Sequence, residues 1–256
     1  MALGISTSIW LFVIGLLASI LGSMAGLGGG FIIVPVLRLF YGLSPPLAAG
    51  TALALVMANT ASASTAYLLQ RRVHVRTGWL IAAGGIPGGI LGAIAVKHVS
   101  PRLFDWLFAA FLLAVSADIV ISRERRSANR ATAGQYKPIV TLLTGFAVGF
   151  VSSLFGVGGG VILIPSLLYF SALPVHVISA TSHFAILLTS PVGFITHVLQ
   201  HDVAWPYVIP LVLGGLLGGP IGAKLSLRLK SPLLILGVAA ALSVAALSLV
   251  FRDIFG

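Results

Sequence analysis

The sequence predicts an all-α polytopic membrane protein. It is built of two homologous, inverted repeats of about five helical elements each, with broken or re-entrant short helices at two glycine-rich motifs. Three observations predict this. The 256 residues are 58% hydrophobic and only 8% charged, with a mean hydropathy of +1.11. A soluble domain carries about a quarter charged residues. Apolar runs of about 18 residues or more recur along the chain, and each can form a transmembrane helix. Finally, the second half repeats the first at an offset of 130 residues. Alternating strands of about ten residues are absent, which argues against a transmembrane barrel.

Taken in order, the apolar segments of the first half are about 5–22, 28–41, 47–69, 77–96 and 103–121. The first has no basic residue before it, unlike a cleavable signal peptide. It also has a counterpart at Ile139 to Val151, so it is read as a structural helix that stays. A polar stretch follows, Ser122 to Lys137, with Arg123, Arg125, Arg126, Arg130 and Lys137. The second half has segments at about 138–154, 158–170, 175–199, 206–226 and 233–251. The domain reading is therefore a first repeat over 1–121, a basic cytoplasmic linker over 122–137 and a second repeat over 138–256. Segments 28–41 and 158–170 are short for a full crossing, which takes about 20 residues.

At the fixed offset, Gly26, Gly28, Gly29, Gly30 and Pro35 match Gly156, Gly158, Gly159, Gly160 and Pro165. Thr51 matches Thr181, Gln70 matches Gln200, and Gly84, Gly88 and Gly92 match Gly214, Gly218 and Gly222. One inserted residue then aligns Ser100-Pro101 with Ser231-Pro232. Repeats of this kind mark duplicated architectures.

The fifteen Lys and Arg residues fall mostly between apolar runs, where the positive-inside rule expects them. The net charge of +10 is thus membrane topology, and nucleic acid is excluded as a partner. With the central loop cytoplasmic and an odd number of crossings per half, eleven basic residues lie inside and four outside. An even number gives nine and six. The odd count, and so the inverted arrangement common among transporters, is favoured. The chain has no cysteine, hence no disulfide and no thiolate metal site. No carboxylate or histidine cluster suggests a metal, no catalytic constellation stands out, and no cofactor is expected.

The paired motifs Gly26 to Pro35 and Gly156 to Pro165 are the candidate site. Consecutive glycines expose backbone and adopt conformations other residues avoid. In hydrocarbon such backbone is tolerated only where it is buried in protein or lines a cavity. A helix beginning after the break points free N–H groups and a positive dipole end back at it, which suits an anion. The candidate substrate contacts are therefore Gly26, Gly28, Gly29, Gly30, Gly156, Gly158, Gly159 and Gly160. Pro35 and Pro165 lie too late for a first-turn proline and are expected to kink or end the short helices. No Lys-Ser/Thr follows either glycine run, so neither is a nucleotide loop. The Gly84 to Gly92 and Gly214 to Gly222 faces read as close helix packing.

Segments 47–69 and 175–199 add neutral polar groups, among them Thr51, Asn59, Thr181 and His183. Neutral donors suit an oxyanion, although serine and threonine in membrane helices often bond only their own backbone. His183 lies at membrane depth and is the candidate proton carrier. His197 and Asp105 read as structural. The expected partners are a small anionic substrate, the lipid bilayer and, through His183, protons; a homo-oligomer is compatible with the sequence.

The paired Gly-x-Gly-Gly-Gly motifs followed by four apolar residues and a proline resemble the TauE/SafE family, also called the sulfite exporter or four-toluene-sulfonate-uptake family. The resemblance covers nearly the whole chain. It implies secondary transport of a small sulfur-containing anion, such as sulfite or an organosulfonate, across the cell membrane, with export the expected direction. The alternatives are a channel-like anion pore and a non-transporting membrane sensor or assembly component.

Overall fold

The computed structural model describes residues 4–128, 138–171, 173–228 and 232–255. Ten α-helices and one short 3-10 turn make up the described chain, and it contains no strand. The first repeat comprises α1 (Ile5–Ala25), α2 (Gly30–Phe40), α3 (Pro45–Leu69), α4 (Val75–Ala95, extended by the 3-10 turn Val96–His98) and α5 (Pro101–Ala128). The second comprises α6 (Pro138–Phe155), α7 (Gly160–Phe170), α8 (Val175–Leu199), α9 (Trp205–Arg228) and α10 (Pro232–Phe255). The helical part of the central stretch extends α5 seven residues past the 121 boundary. The rest of the basic linker lies outside the described residues.

Among the described residues six helices are long and apolar enough to cross a membrane: α1, α3, α4, α6, α8 and α9. The two helices that follow the glycine motifs have 11 residues each. At 1.5 Å per residue they reach about half way across a hydrocarbon core. Neither proline ends its helix. Pro35 and Pro165 sit inside α2 and α7, which continue to Phe40 and Phe170. The helices stop where polar sequence resumes instead, at Tyr41 and Ser171.

The centre of the molecule is the α3–α8 pair. Both helices have 25 residues, and neither carries a Lys, Arg, Asp or Glu. Each is begun by proline chemistry, Pro45 in the first turn of α3 and Pro174 as the residue capping α8. The start of α3 lies beside the end of α8. Thr51 Oγ1 accepts the Ala204 N–H at 2.9 Å, and a Cβ on Gly50 would lie 2.9 Å from that of His197. The start of α8 lies beside the end of α3: Thr181 Oγ1 accepts the His74 N–H at 2.9 Å. The equivalent helices α3 and α8 therefore run antiparallel.

Each repeat lends its fourth helix to the other. α4 packs on α6 and α8, and α9 packs on α1 and α3. The glycine faces make this possible. A Cβ at Gly84, Gly88 or Gly92 would overlap the carbonyl oxygens of Leu142, Phe146 and Phe150 on α6. Gly145 and Gly149 answer from the α6 side against Ile81 and Gly85. On the other side Gly214, Gly218 and Gly222 meet the α1 backbone and Ser19 and Ser23. Small residues are what let membrane helices approach to backbone contact. α5 and α10 pack against each other at the periphery, where Ser116 Oγ donates to the Ala239 carbonyl at 3.0 Å.

The four tryptophans Trp10, Trp79, Trp106 and Trp205 are all exposed and sit in the first six residues of α1, α4, α5 and α9. Aromatic residues at helix ends mark the membrane–water interface. The outward faces between carry exposed Leu, Ile and Phe, as lipid contact requires.

Candidate functional site

Both glycine motifs adopt the same backbone. Gly26, Gly28 and Gly29 have φ of +82°, +86° and +86°; Gly156, Gly158 and Gly159 have +73°, +87° and +72°. A side chain at any of these positions is strained. The left-handed Gly26 terminates α1, and Leu27 closes the end by donating to the Gly22 carbonyl at 2.7 Å. One residue pair later the chain is already in helix again. Gly29 and Gly159 are the N-caps of α2 and α7, and neither helix start has a side-chain cap. Two positive helix ends thus begin in the buried interior without a side-chain cap.

The two motifs lie against each other. A Cβ on Gly30 would overlap the Gly156 carbonyl, and a Cβ on Gly160 would overlap the Gly26 carbonyl. The Cβ position of Gly28 is 3.7 Å from the Gly158 Cα. Each break therefore seals the other, with reciprocal contacts. The fully buried Val56 of α3 stands at this meeting point, its Cγ1 3.4 Å from the Cβ position of Gly28 and 2.7 Å from that of Gly158. The junction lies near the middle of α3.

Asn59 braces the first break. Its Nδ2 donates to the Gly28 carbonyl at 2.9 Å, and its Oδ1 accepts from Ser23 Oγ at 2.6 Å. Tyr67 hydroxyl donates to the Ser23 carbonyl at 2.7 Å. From the other repeat, Ser182 Oγ donates to the Gly26 carbonyl at 3.2 Å. Of the residues the sequence singled out, all eight glycines and Asn59 come together here.

Thr51 and Thr181 are placed differently. Their oxygens accept the N–H groups of Ala204 and His74, which belong to the turns of the opposite repeat. In the structure they clasp the repeats together at the two ends of the α3–α8 pair. His183 is fully buried. Its Nδ1 donates to the Ser179 carbonyl at 3.2 Å, its Nε2 has no hydrogen-bond partner, and its ring meets the edge of Tyr67 with centroids 5.4 Å apart.

Several residues here escaped the sequence reading. Ser23, Tyr67 and Val56 gave no signal, because a serine, a tyrosine and a valine in apolar sequence look like ordinary helix content. Arg38 and Asp105 form a buried ion pair, with Nε–Oδ1 at 2.9 Å and Nη2–Oδ2 at 2.5 Å. They are 67 residues apart in sequence, and only the packing of α2 against α5 joins them. Among the described residues no group of three His, Asp or Glu side chains could hold a metal ion.

The model of the family described as "Sulfite exporter TauE/SafE" matches residues 11–249. The chain belongs to the TauE/SafE family. It is a multi-pass membrane transporter. Its relatives include the "Probable membrane transporter protein YunE" of Bacillus subtilis, 30% identical over 96% of this chain and 98% of that protein. A "Probable membrane transporter protein" of Haemophilus influenzae is 28% identical over 88% of this chain and 87% of its own length. The "Probable membrane transporter protein MJ0441" of Methanocaldococcus jannaschii is 27% identical over 79% of this chain and 76% of its own. No solved structure matches the chain. The TauE/SafE match spans both glycine motifs and the α3–α8 pair.

Proposed function

We propose that this transporter moves a small sulfur-containing anion, such as sulfite or an organosulfonate, out of the cell across the cell membrane. The observation that carries the reading is the meeting of two helix N-termini that no side chain caps, at the middle of the helical core. Their partial positive ends, with the N–H groups of the breaks, suit an oxyanion. Broken helices whose half-helix ends face an anionic group near the midplane are a recurring transporter device.

The motifs touch and Val56 fills their junction, which we read as the closed arrangement. The anion enters when the two breaks part, and the glycines allow backbone to approach it closely. The repeats are inverted across the bilayer on this reading. The antiparallel course of α3 and α8 supports it, as does the Arg72–Ser226 bond of 3.3 Å. That bond puts the α3–α4 turn, with Arg71 and Arg72, at the same end as the end of α9, with Lys224. The positive-inside rule makes this end cytoplasmic, together with the central basic stretch. A negative-inside potential drives an anion outward by about 2.3 kcal/mol per charge per 100 mV. Export needs no further energy source, and His183 is the candidate for proton coupling.

Thermal unfolding of the purified protein with sulfite, sulfate, thiosulfate, sulfoacetate and taurine tests the substrate class. A ligand of the native state raises the melting temperature by mass action. Flux into proteoliposomes then tests the mechanism: saturation and counterflow are expected, and single-channel currents would instead reveal a pore. A panel in which no sulfur anion shifts the melting temperature or crosses the membrane sinks the substrate assignment.

A further inference from the structure

His197 is fully buried near the end of α8, well separated along the helix from His183. Its Nε2 lies 3.0 Å from the Ser153 carbonyl. A carbonyl only accepts, so Nε2 carries a hydrogen and Nδ1 of the neutral ring bears the lone pair. That Nδ1 is buried and has no hydrogen-bond partner. The neighbouring turn holds Asp202, whose N–H donates to the His197 carbonyl at 2.9 Å. Asp202 Oδ2 is buried too and makes no aligned hydrogen bond; Lys97 Nζ faces it at 3.2 Å and leads to the surface, being 38% exposed.

The first repeat shows what is special here. Its residue at the place of His197 is Tyr67, and Tyr67 makes the same contact, donating to the carbonyl of Ser23, the equivalent of Ser153. Both carbonyls stand three residues before a glycine break. The place of Asp202 is taken by Arg72, whose N–H makes the same turn-closing bond to the Tyr67 carbonyl at 3.2 Å. One repeat thus has a brace of tyrosine beside a cation. The other has the same brace made from a histidine beside a carboxylate, with an open ring nitrogen.

We propose that His197, with Asp202 beside it, is a proton-binding site set against the second glycine break. This rests on the chain being a transporter and not on which anion it moves. A proton arriving past Lys97 and Asp202 adds to Nδ1, Nε2–H stays in place, and the ring becomes an imidazolium. The cation strengthens the bond to the Ser153 carbonyl. It also gives the Asp202 carboxylate a second cation to pair with, so its hold on Lys97 relaxes. Lys97 is also bonded to the Gln200 carbonyl at 2.8 Å, and its release frees the end of α4 from the α8–α9 turn. Protonation is thereby tied both to the break and to the contact between repeats. The other charged groups around His197 are few. α3 and α6 carry no Asp, Glu, Lys, Arg or His, the Arg76 of α4 lies at the far end, and His98 and His201 are exposed. His183, by contrast, has no carboxylate on its neighbouring turns.

Histidine-selective nitrogen NMR of the full-length protein in detergent tests this without any substrate. The resonance pair missing in His197→Gln should titrate, and its midpoint should move in Asp202→Asn. A His197 ring that keeps the Nε2–H neutral form across the whole pH range in which the protein stays folded overturns the proposal. In proteoliposomes, His197→Gln keeps an amide donor for Ser153 and should keep sulfoacetate counterflow while losing the accompanying proton movement, read by a trapped pH dye. Unchanged proton movement in His197→Gln overturns the proposal. Absence of sulfoacetate movement in the unaltered protein counts against the sulfur-anion reading alone, and the NMR titration still decides on His197.

Discussion

The two repeats share a scaffold and differ in the chemistry hung on it. Where the backbone has to do something unusual they agree. Both breaks use three glycines at positive φ, both helix starts press a glycine on the other repeat's carbonyl, and Thr51 and Thr181 make the same clasp. Where side chains brace this frame they diverge. Asn59 holds the Gly28 carbonyl, whereas its counterpart Thr189 bonds only its own helix at Ala185. Arg38 and Asp105 pair in the first repeat, while the second has Leu168 and Leu236 at the matching positions. Backbone geometry leaves little freedom, because only glycine tolerates φ near +80° beside another backbone. A polar brace can be replaced by any pair that satisfies the same carbonyl, or by an apolar pair of similar volume.

The sharpest way to break the comparison is at the buried ion pair. Asp105→Ala leaves the Arg38 guanidinium without its carboxylate and should cost about 3–5 kcal/mol. The double replacement Arg38→Leu with Asp105→Leu, which copies the second repeat, should be close to neutral. Reversible unfolding in mixed micelles reads both. Next come Gly30→Ala and Gly160→Ala. Each drives a methyl group into a carbonyl of the opposite motif and should cost about 1–3 kcal/mol. Equal losses are expected, and a marked inequality would show that the junction is less symmetric than its geometry.

A smaller contrast is expected between Asn59→Ala and Thr189→Val. Asn59 makes two bonds at about 1 kcal/mol each, so its loss should cost about 2 kcal/mol and weaken the first break. Thr189→Val removes only a bond within its own helix and should change the melting temperature little. Least of all, Thr51→Val and Thr181→Val should each cost about 1 kcal/mol by leaving one N–H of the opposite repeat unpaired. Their anion affinity, read as the thermal shift with sulfite, should be unchanged if they act only as clasps. A loss of that shift would return them to the substrate site.

The membrane class, the helical repeat and the two glycine breaks were legible because they rest on quantities that a linear string carries. Hydropathy summed over a window states which segments leave water, and identity at a fixed offset states duplication. Consecutive glycines state where a helix is interrupted. The ends of the elements were less legible. Proline at 35 and 165 reads as either a kink or a stop, and of the two the stop is excluded, since both helices continue to Phe40 and Phe170. A buried helix can absorb one missing N–H when the surrounding packing holds it.

Composition and repetition alone determined that this chain is a duplicated, multi-pass helical protein with a pair of backbone breaks. What only the tertiary structure decided is who meets whom. It set the breaks against each other and sent each fourth helix to the opposite repeat. It made Thr51 and Thr181 clasps between the repeats, and left Nδ1 of the buried His197 without a hydrogen-bond partner. The physical reason is range. Hydrophobicity and backbone preference act on a residue and its near neighbours in sequence. Hydrogen bonds and ion pairs between residues such as Thr51 and Ala204, or Arg38 and Asp105, exist only once packing has brought distant segments within about 3 Å.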